Sequence, residues 1–156
     1  MEKAFLEIVE SNQGIIYKVC KMYRDSHEDQ EDLFQEIVLQ LWKAFPNFRK
    51  ESKASTWMYR IGLNTAITAF RKKSIDLAFN SSLPETPFGY KNDESSENEE
   101  RMFEAFRMLN TTERALIALF LEDYSHKEIA DIMGITENNV GVKISRIKDK
   151  LKRILN

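Results

Sequence analysis

Residues 125–151, SHKEIADIMGITENNVGVKISRIKDKL, decide the fold. Ser125 followed three positions later by Glu128 is a capping-box pair, so a helix is expected to begin at His126 and to turn Ile129, Ala130 and Met133 to one side. Gly134 supplies the left-handed conformation that helix C-termini favour, and Ile135 follows as the buried residue of the turn. Thr136 is a good N-cap for a second helix. In that helix Val140, Ile144, Ile147 and Leu151 recur at intervals of four, three and four, which makes one apolar seam. The other side carries Asn138, Val142, Ser145 and Arg146, flanked by Lys143 and Lys148, none of which the core needs. A short helix, a glycine turn and a longer helix with a polar, basic outer face form a helix-turn-helix, whose second helix fits the major groove of DNA.

Charge supports that reading once it is divided along the chain. Residues 139–156 hold six Lys or Arg against one Asp, a local balance of +5 that suits phosphate contact. The whole chain carries only −2. Residues 1–75 stand at +2, residues 76–100 at −6 and residues 101–156 at +2, so the acid lies in the middle. That middle contains Ser81, Ser82, Pro84, Pro87, Gly89 and the run KNDESSENEE, with no helical or strand periodicity. It reads as a flexible acidic linker, residues 76–99, between a domain at 1–75 and a domain at 100–156. Its charge fits either a solvated tether or a nucleic-acid mimic that occupies a basic channel.

The remaining patterns are helical. Residues 4–23 place Phe5, Ile8, Val9, Ile15, Ile16, Val19 and Met22 at helical intervals, with an interruption expected at Gly14. Ser26, with Asp29 in the third position, opens a helix over 27–45 that Pro46 ends. Leu33, Ile37, Leu41 and Ala44 make one stripe of it, and Phe34, Val38, Trp42 and Phe45 a second. Asp32, Gln35, Glu36 and Gln40 are left as an acidic, amide-rich surface, suited to a protein partner that carries Arg or to plain solvation. After the loop NFRKESKAS, Ser55 is expected to cap the helix TWMYRIGLNTAITAFRKK, with Tyr59, Leu63, Ala66 and Phe70 inward. Trp57, Arg60, Asn64, Thr68 and Arg71 fall together about a third of a turn away. Aromatic, amide and cationic groups along one stripe supply what single-stranded nucleic acid needs: stacking, base-edge hydrogen bonds and phosphate neutralisation. Trp57 fits a core position equally well. Beyond the linker, residues 99–109 make a helix with Met102, Phe103, Phe106 and Leu109 inward. Asn110 with Glu113 opens another, whose apolar residues are Ala115, Leu116, Leu119 and Phe120. No strand pattern occurs, and the fold class is all-α: two small helical domains, the second containing the helix-turn-helix.

Other classes are disfavoured. The longest apolar run, residues 115–121, is far short of the roughly 20 residues that span a bilayer, so no membrane insertion is expected. The start, MEKAFLEIVES, lacks the basic and apolar pattern of a signal peptide. The single cysteine, Cys20, has no internal disulfide partner and suits a reducing cytoplasm. His27 and His126 stand apart beside helix caps and belong to no metal-ligand spacing. No catalytic residue, metal or cofactor is assigned, and an enzyme acting on nucleic acid is not the expected class. A freestanding repressor or activator would use the helix-turn-helix but leave the N-terminal domain unexplained.

Residues 32–45 (DLFQEIVLQLWKAF), 55–73 (STWMYRIGLNTAITAFRKK) and 109–154 resemble, in that order and spacing, a bacterial RNA polymerase sigma factor of the extracytoplasmic-function (ECF) type, which keeps the second and fourth conserved regions and has a linker for the third. The resemblance implies promoter recognition, DNA melting and transcription initiation with core RNA polymerase, contacted at the clamp helices of its largest subunit and at its flap. It also implies an anti-sigma partner and a monomer when free. By the same resemblance Asp32, Gln35, Glu36 and Gln40 would face the clamp helices. Trp57, Tyr59, Arg60, Asn64, Thr68 and Arg71, with the loop 47–54, would open the minus-ten element and hold a flipped non-template base, Asn64 lying beside its pocket. Asn138, Asn139, Gly141, Val142, Lys143, Ser145, Arg146 and Lys148 would read the minus-thirty-five element. Gly141 departs from the pattern, since many members of the family place Lys or Arg there.

Overall fold

The computed structural model describes residues 1–50, 53–69 and 96–156. The chain divides into two compact units. In the described residues every regular element is helical. Phe70, Arg71 and almost all of the acidic stretch, apart from residues 96–99, lie outside the described residues.

The N-terminal unit contains α1 (Glu2–Ser11), α2 (Gln13–Tyr23), α3 (His27–Ala44), a 3₁₀ turn (Phe45–Asn47) and α4 (Ala54–Ala69). The first break falls at Asn12 rather than Gly14. Asn12 donates from its side-chain amide to Ile8 O at 2.9 Å and from its backbone to Val9 O at 3.1 Å, while its own carbonyl accepts from Ile15 N–H at 3.0 Å. One residue thus ends α1 and starts α2, because a short amide competes with the helical ladder. Gly14 lies exposed inside α2.

Between α2 and α3, Ser26 Oγ accepts from Asp29 N–H at 3.1 Å, the cap expected from sequence. Gln30, buried beneath that cap, donates from its amide to Arg24 O at 3.0 Å and ties down the turn. Helix α3 ends one residue before its expected limit, at Ala44. Pro46 has no N–H and crowds the carbonyl four residues back, so the chain tightens into the 3₁₀ turn. Helix α4 begins at Ala54, and Trp57 N–H donates to Lys53 O at 3.1 Å. Ser55 therefore lies inside the first turn instead of capping it.

Both stripes of α3 are used. Leu33, Phe34, Ile37, Val38 and Leu41 are buried, and so is Leu39 between them, against the inner sides of α2 and α4. Burying side chains of this size contributes roughly 1.5–3 kcal/mol each, so this face dominates the unit's stability. Gly62 faces this packing: a Cβ there would lie in ordinary contact, 3.8 Å from both Val19 Cγ2 and Ile37 Cγ2.

The C-terminal unit contains α5 (Glu97–Arg107), α6 (Thr111–Leu121), α7 (His126–Met133) and α8 (Glu137–Leu155). Helix α5 starts at Glu97, inside the stretch read from sequence as linker. Ser96 Oγ accepts from Glu99 N–H at 3.2 Å, and Glu97, Glu99 and Glu100 place negative charge on the first turn. Acid that looks like solvated tether in sequence is here complement to a helix dipole. Asn110 and Glu113 form the expected capping box on α6. Arg114 then closes the α5–α6 corner by donating to Leu109 O at 2.9 Å and to Arg107 O at 2.6 Å.

Candidate nucleic-acid interface

The helix-turn-helix is built from its caps inward. Ser125 Oγ accepts from Glu128 N–H at 3.1 Å while Glu128 Oε1 accepts from Ser125 N–H at 2.9 Å, which fixes the start of α7. Gly134 adopts φ 71°, and the N–H groups of Gly134 and Ile135 both donate to Ala130 O, at 2.9 and 3.2 Å. This left-handed closure satisfies the end of α7 and turns the chain at once into α8. Thr136 Oγ1 accepts from Asn139 N–H at 3.1 Å and caps the second helix.

The seam of α8 is buried as its spacing requires: Val140, Ile144, Ile147 and Leu151 lie inside, with Ile129 and Ala130 of α7 and Leu116 and Leu119 of α6 also in the core. With that seam committed, the opposite side faces outward. Asn138, Gly141, Val142, Ser145 and Arg146 line one shallow, open concavity, joined by Glu137 and by His126 from the start of α7. Val142 is 41 % exposed, a large apolar side chain on a polar face with no core to fill. Asn139 and Lys143 are exposed beside the concavity without lining it.

Lys148 belongs elsewhere. Its Nζ lies 4.2 Å from the centroid of the Phe120 ring, so the ammonium is directed onto α6. Lys150 is likewise engaged, donating to Glu113 Oε1 at 3.1 Å. Burial pushes the Glu113 carboxyl up, but the Asn110 N–H and the Lys150 ammonium, with Lys143 adding to them, outweigh it and leave the group below the ordinary carboxylate range. Two of the basic residues counted along α8 thus hold the helix against α6.

A second exposed row lies on α4 of the N-terminal unit, where Arg60, Asn64 and Thr68 follow one another at intervals of four. Thr68 turns its hydroxyl back to Asn64 O at 2.9 Å. Tyr59, by contrast, is only 2 % exposed and lies in the core with Leu63 and Ala66. Trp57 occupies an intermediate position. Its ring stacks on Phe48 with centroids 4.5 Å apart and planes 22° from parallel, and Phe45 approaches at 6.2 Å. Phe45 also meets Phe5, and Phe5 meets Trp42 edge-on at 5.0 Å, so Trp57 is the outer member of an aromatic chain running back to α1. Phe48 was not singled out in sequence, although an aromatic residue in a polar loop just after a proline is a signal that the loop packs down.

On α3, Asp32, Gln35 and Glu36 are exposed, away from both apolar stripes. Gln40 is half-buried and donates from its amide to Glu36 Oε1 at 3.0 Å, which holds that carboxylate in place. Among the described residues no group of three or more His, Cys, Asp or Glu side chains could hold a metal ion, and no helix is long and apolar enough to cross a membrane.

A helix-turn-helix with an unburied polar and basic face, preceded by a separate helical unit, defines a DNA-binding protein of the transcription machinery. Comparison with known proteins narrows the class. Residues 8–75 match the family model "Sigma-70 region 2" and residues 99–151 match "Sigma-70, region 4". The chain is 24% identical to the ECF RNA polymerase sigma factor SigW of Bacillus subtilis over 99% of its own length and 90% of the relative's. It is 27% identical to the RNA polymerase sigma factor SigS of Staphylococcus aureus, over 97% and 99% of the two chains. Among solved structures, its fold is similar to that of the sigma factor RpoE in complex with the anti-sigma factor NepR from Bartonella quintana, with a TM-score of 0.74 at 20% identity over 98% and 97% of the two chains. The chain belongs to the sigma-70 family of RNA polymerase sigma factors and is of the ECF type; it binds core RNA polymerase and directs transcription from promoters.

Proposed function

We propose that the two units divide the promoter between them, the C-terminal unit reading the minus-thirty-five element as intact duplex and the N-terminal unit opening the minus-ten element. The observation that carries this reading is the concavity on α8, where Asn138, Val142, Ser145 and Arg146 converge although none of them is needed by the buried seam. A helix of this kind places its N-terminal half in the major groove, where Asn and Arg can pair bidentately with base edges and a Val methyl can meet thymine. Asn139 and Lys143 flank it on the duplex. Lys148, held over Phe120, steadies the helix instead.

On α4, Arg60, Asn64 and Thr68 form the row that meets the separated strand. Unstacking and flipping a base costs a few kcal/mol, and contacts to the freed base and its backbone offset it, so melting needs no nucleotide hydrolysis. Trp57 closes the upper end of the row, backed by Phe48. Asp32, Gln35 and Glu36, with Gln40 holding Glu36, dock on the clamp helices of the polymerase. The protein acts in the cytoplasm as a non-catalytic initiation factor. The structural neighbour bound to NepR supports control by an anti-sigma protein.

In vitro transcription with purified core polymerase on a genomic DNA library tests the reading. Defined start sites that share two spaced elements are expected. Initiation no different from core polymerase alone would overturn it.

A further inference from the structure

Gly141 stands within α8 on its outward side, where glycine costs a helix about 1 kcal/mol relative to alanine. A Cβ built on it would lie 3.5 Å from His126 Nδ1 and 3.6 Å from His126 Cε1, ordinary contact distances, so the imidazole of α7 stands beside α8 at this position. His126 is nevertheless exposed, and it lines the concavity that holds Asn138, Ser145 and Arg146. Nε2 lies farther than 4 Å from that Cβ position.

We propose that His126 belongs to the DNA-binding surface, donating a hydrogen bond to a phosphate at the edge of the groove that α8 enters. The proposal rests on the assignment of the α8 concavity to duplex DNA and extends it to a second helix. In a helix-turn-helix the first helix crosses the DNA backbone while the second lies in the groove. An imidazole that starts on α7 and lines the same concavity as the α8 residues therefore stands where groove and backbone meet. A neutral imidazole still has one N–H to donate, so the contact does not depend on charge. Glu137 lines the same concavity and repels phosphate, Arg146 counters it, and His126 is the α7 side chain that lines it. The interaction positions the duplex without reading sequence, as phosphate contacts do.

The test uses holoenzyme assembled from the full chain and core polymerase, bound to double-stranded promoter fragments with a randomised minus-thirty-five segment. His126→Ala is expected to lower affinity roughly tenfold, as for loss of a hydrogen bond to a charged group, for every sequence alike and with an unchanged melting temperature. His126→Lys should restore most of that loss. Parental affinity in His126→Ala or a changed base preference in that variant would each overturn the proposal. If Arg146→Ala also leaves affinity unchanged, the assignment of α8 to DNA fails with it; if only Arg146→Ala weakens binding, the failure is confined to His126.

Discussion

Arg146 and Lys148 are two residues apart on one helix, carry the same charge and point to different neighbours, so their replacement separates binding from folding. Arg146 lines the outer concavity, and loss of its contacts with the duplex should cost about 1–3 kcal/mol, a five- to 150-fold drop in promoter affinity. Being exposed, it supports no packing, and the melting temperature of Arg146→Ala should match the parent. Lys148 lies 4.2 Å over the Phe120 ring, a contact worth about 0.5–1 kcal/mol at an exposed site. In a unit of this size that corresponds to a melting point lower by about 2–8 °C. Lys148→Ala should therefore soften the C-terminal unit and leave promoter affinity within about twofold, with part of any salt effect unchanged. Filter binding of holoenzyme to a promoter fragment and calorimetry of the free chain give the two readouts. Equal affinity losses in the two variants would refute the inference that direction along α8, rather than charge, selects the DNA contacts.

Three further outcomes follow from the same geometry. Glu113 is held below the ordinary carboxylate range, so its contribution is complete above the unfolded value of about 4.3 and disappears as pH falls through the lower folded value; Glu113→Gln should flatten acid destabilisation of the C-terminal unit in melts recorded between neutral pH and about pH 3, and an unchanged slope would count against the Asn110 and Lys150 contacts. Gly134→Ala forces a Cβ into a φ of 71° and should destabilise the unit by about 1–2 kcal/mol in urea titration, with no clash involved because nothing lies within 4 Å. Reversing the charge of the α3 surface with Gln35→Lys and Glu36→Lys should abolish co-purification with core polymerase while the far-ultraviolet circular dichroism is retained; persistent association would remove this surface from the docking site.

What the chain spells out locally is read without difficulty. Ser26, Asn110, Ser125 and Thr136 each accept the backbone N–H three residues on, and Gly134 takes the left-handed turn, because a cap is decided by residues a few positions apart. Boundaries set by competition are harder. Asn12 breaks the first helix where Gly14 is the more conspicuous candidate, since a side-chain amide bonded to Ile8 O outweighs a flexible residue that can remain helical. Glu97 and Glu99 look like tether until Ser96 is seen to cap them into α5. For the surfaces, helical spacing gives the angle of a side chain but not its neighbour. Asn138, Val142, Ser145 and Arg146 come together as their spacing implies, whereas Lys148 finds Phe120, Tyr59 enters the core and Trp57 finds Phe48. His126 stays hidden from any periodicity argument, because it reaches the concavity across a turn from a different helix.

Cys20 is fully enclosed between the helices of the N-terminal unit, and burial drives its thiol well above the ordinary range, with nearby Arg24 opposing only in part. A sealed, protonated sulfur is a silent background for maleimide chemistry. Single cysteines placed at exposed points outside the proposed DNA surfaces, such as Glu7 or Glu104, could each accept a fluorophore in the otherwise native chain and report on the unit that carries it.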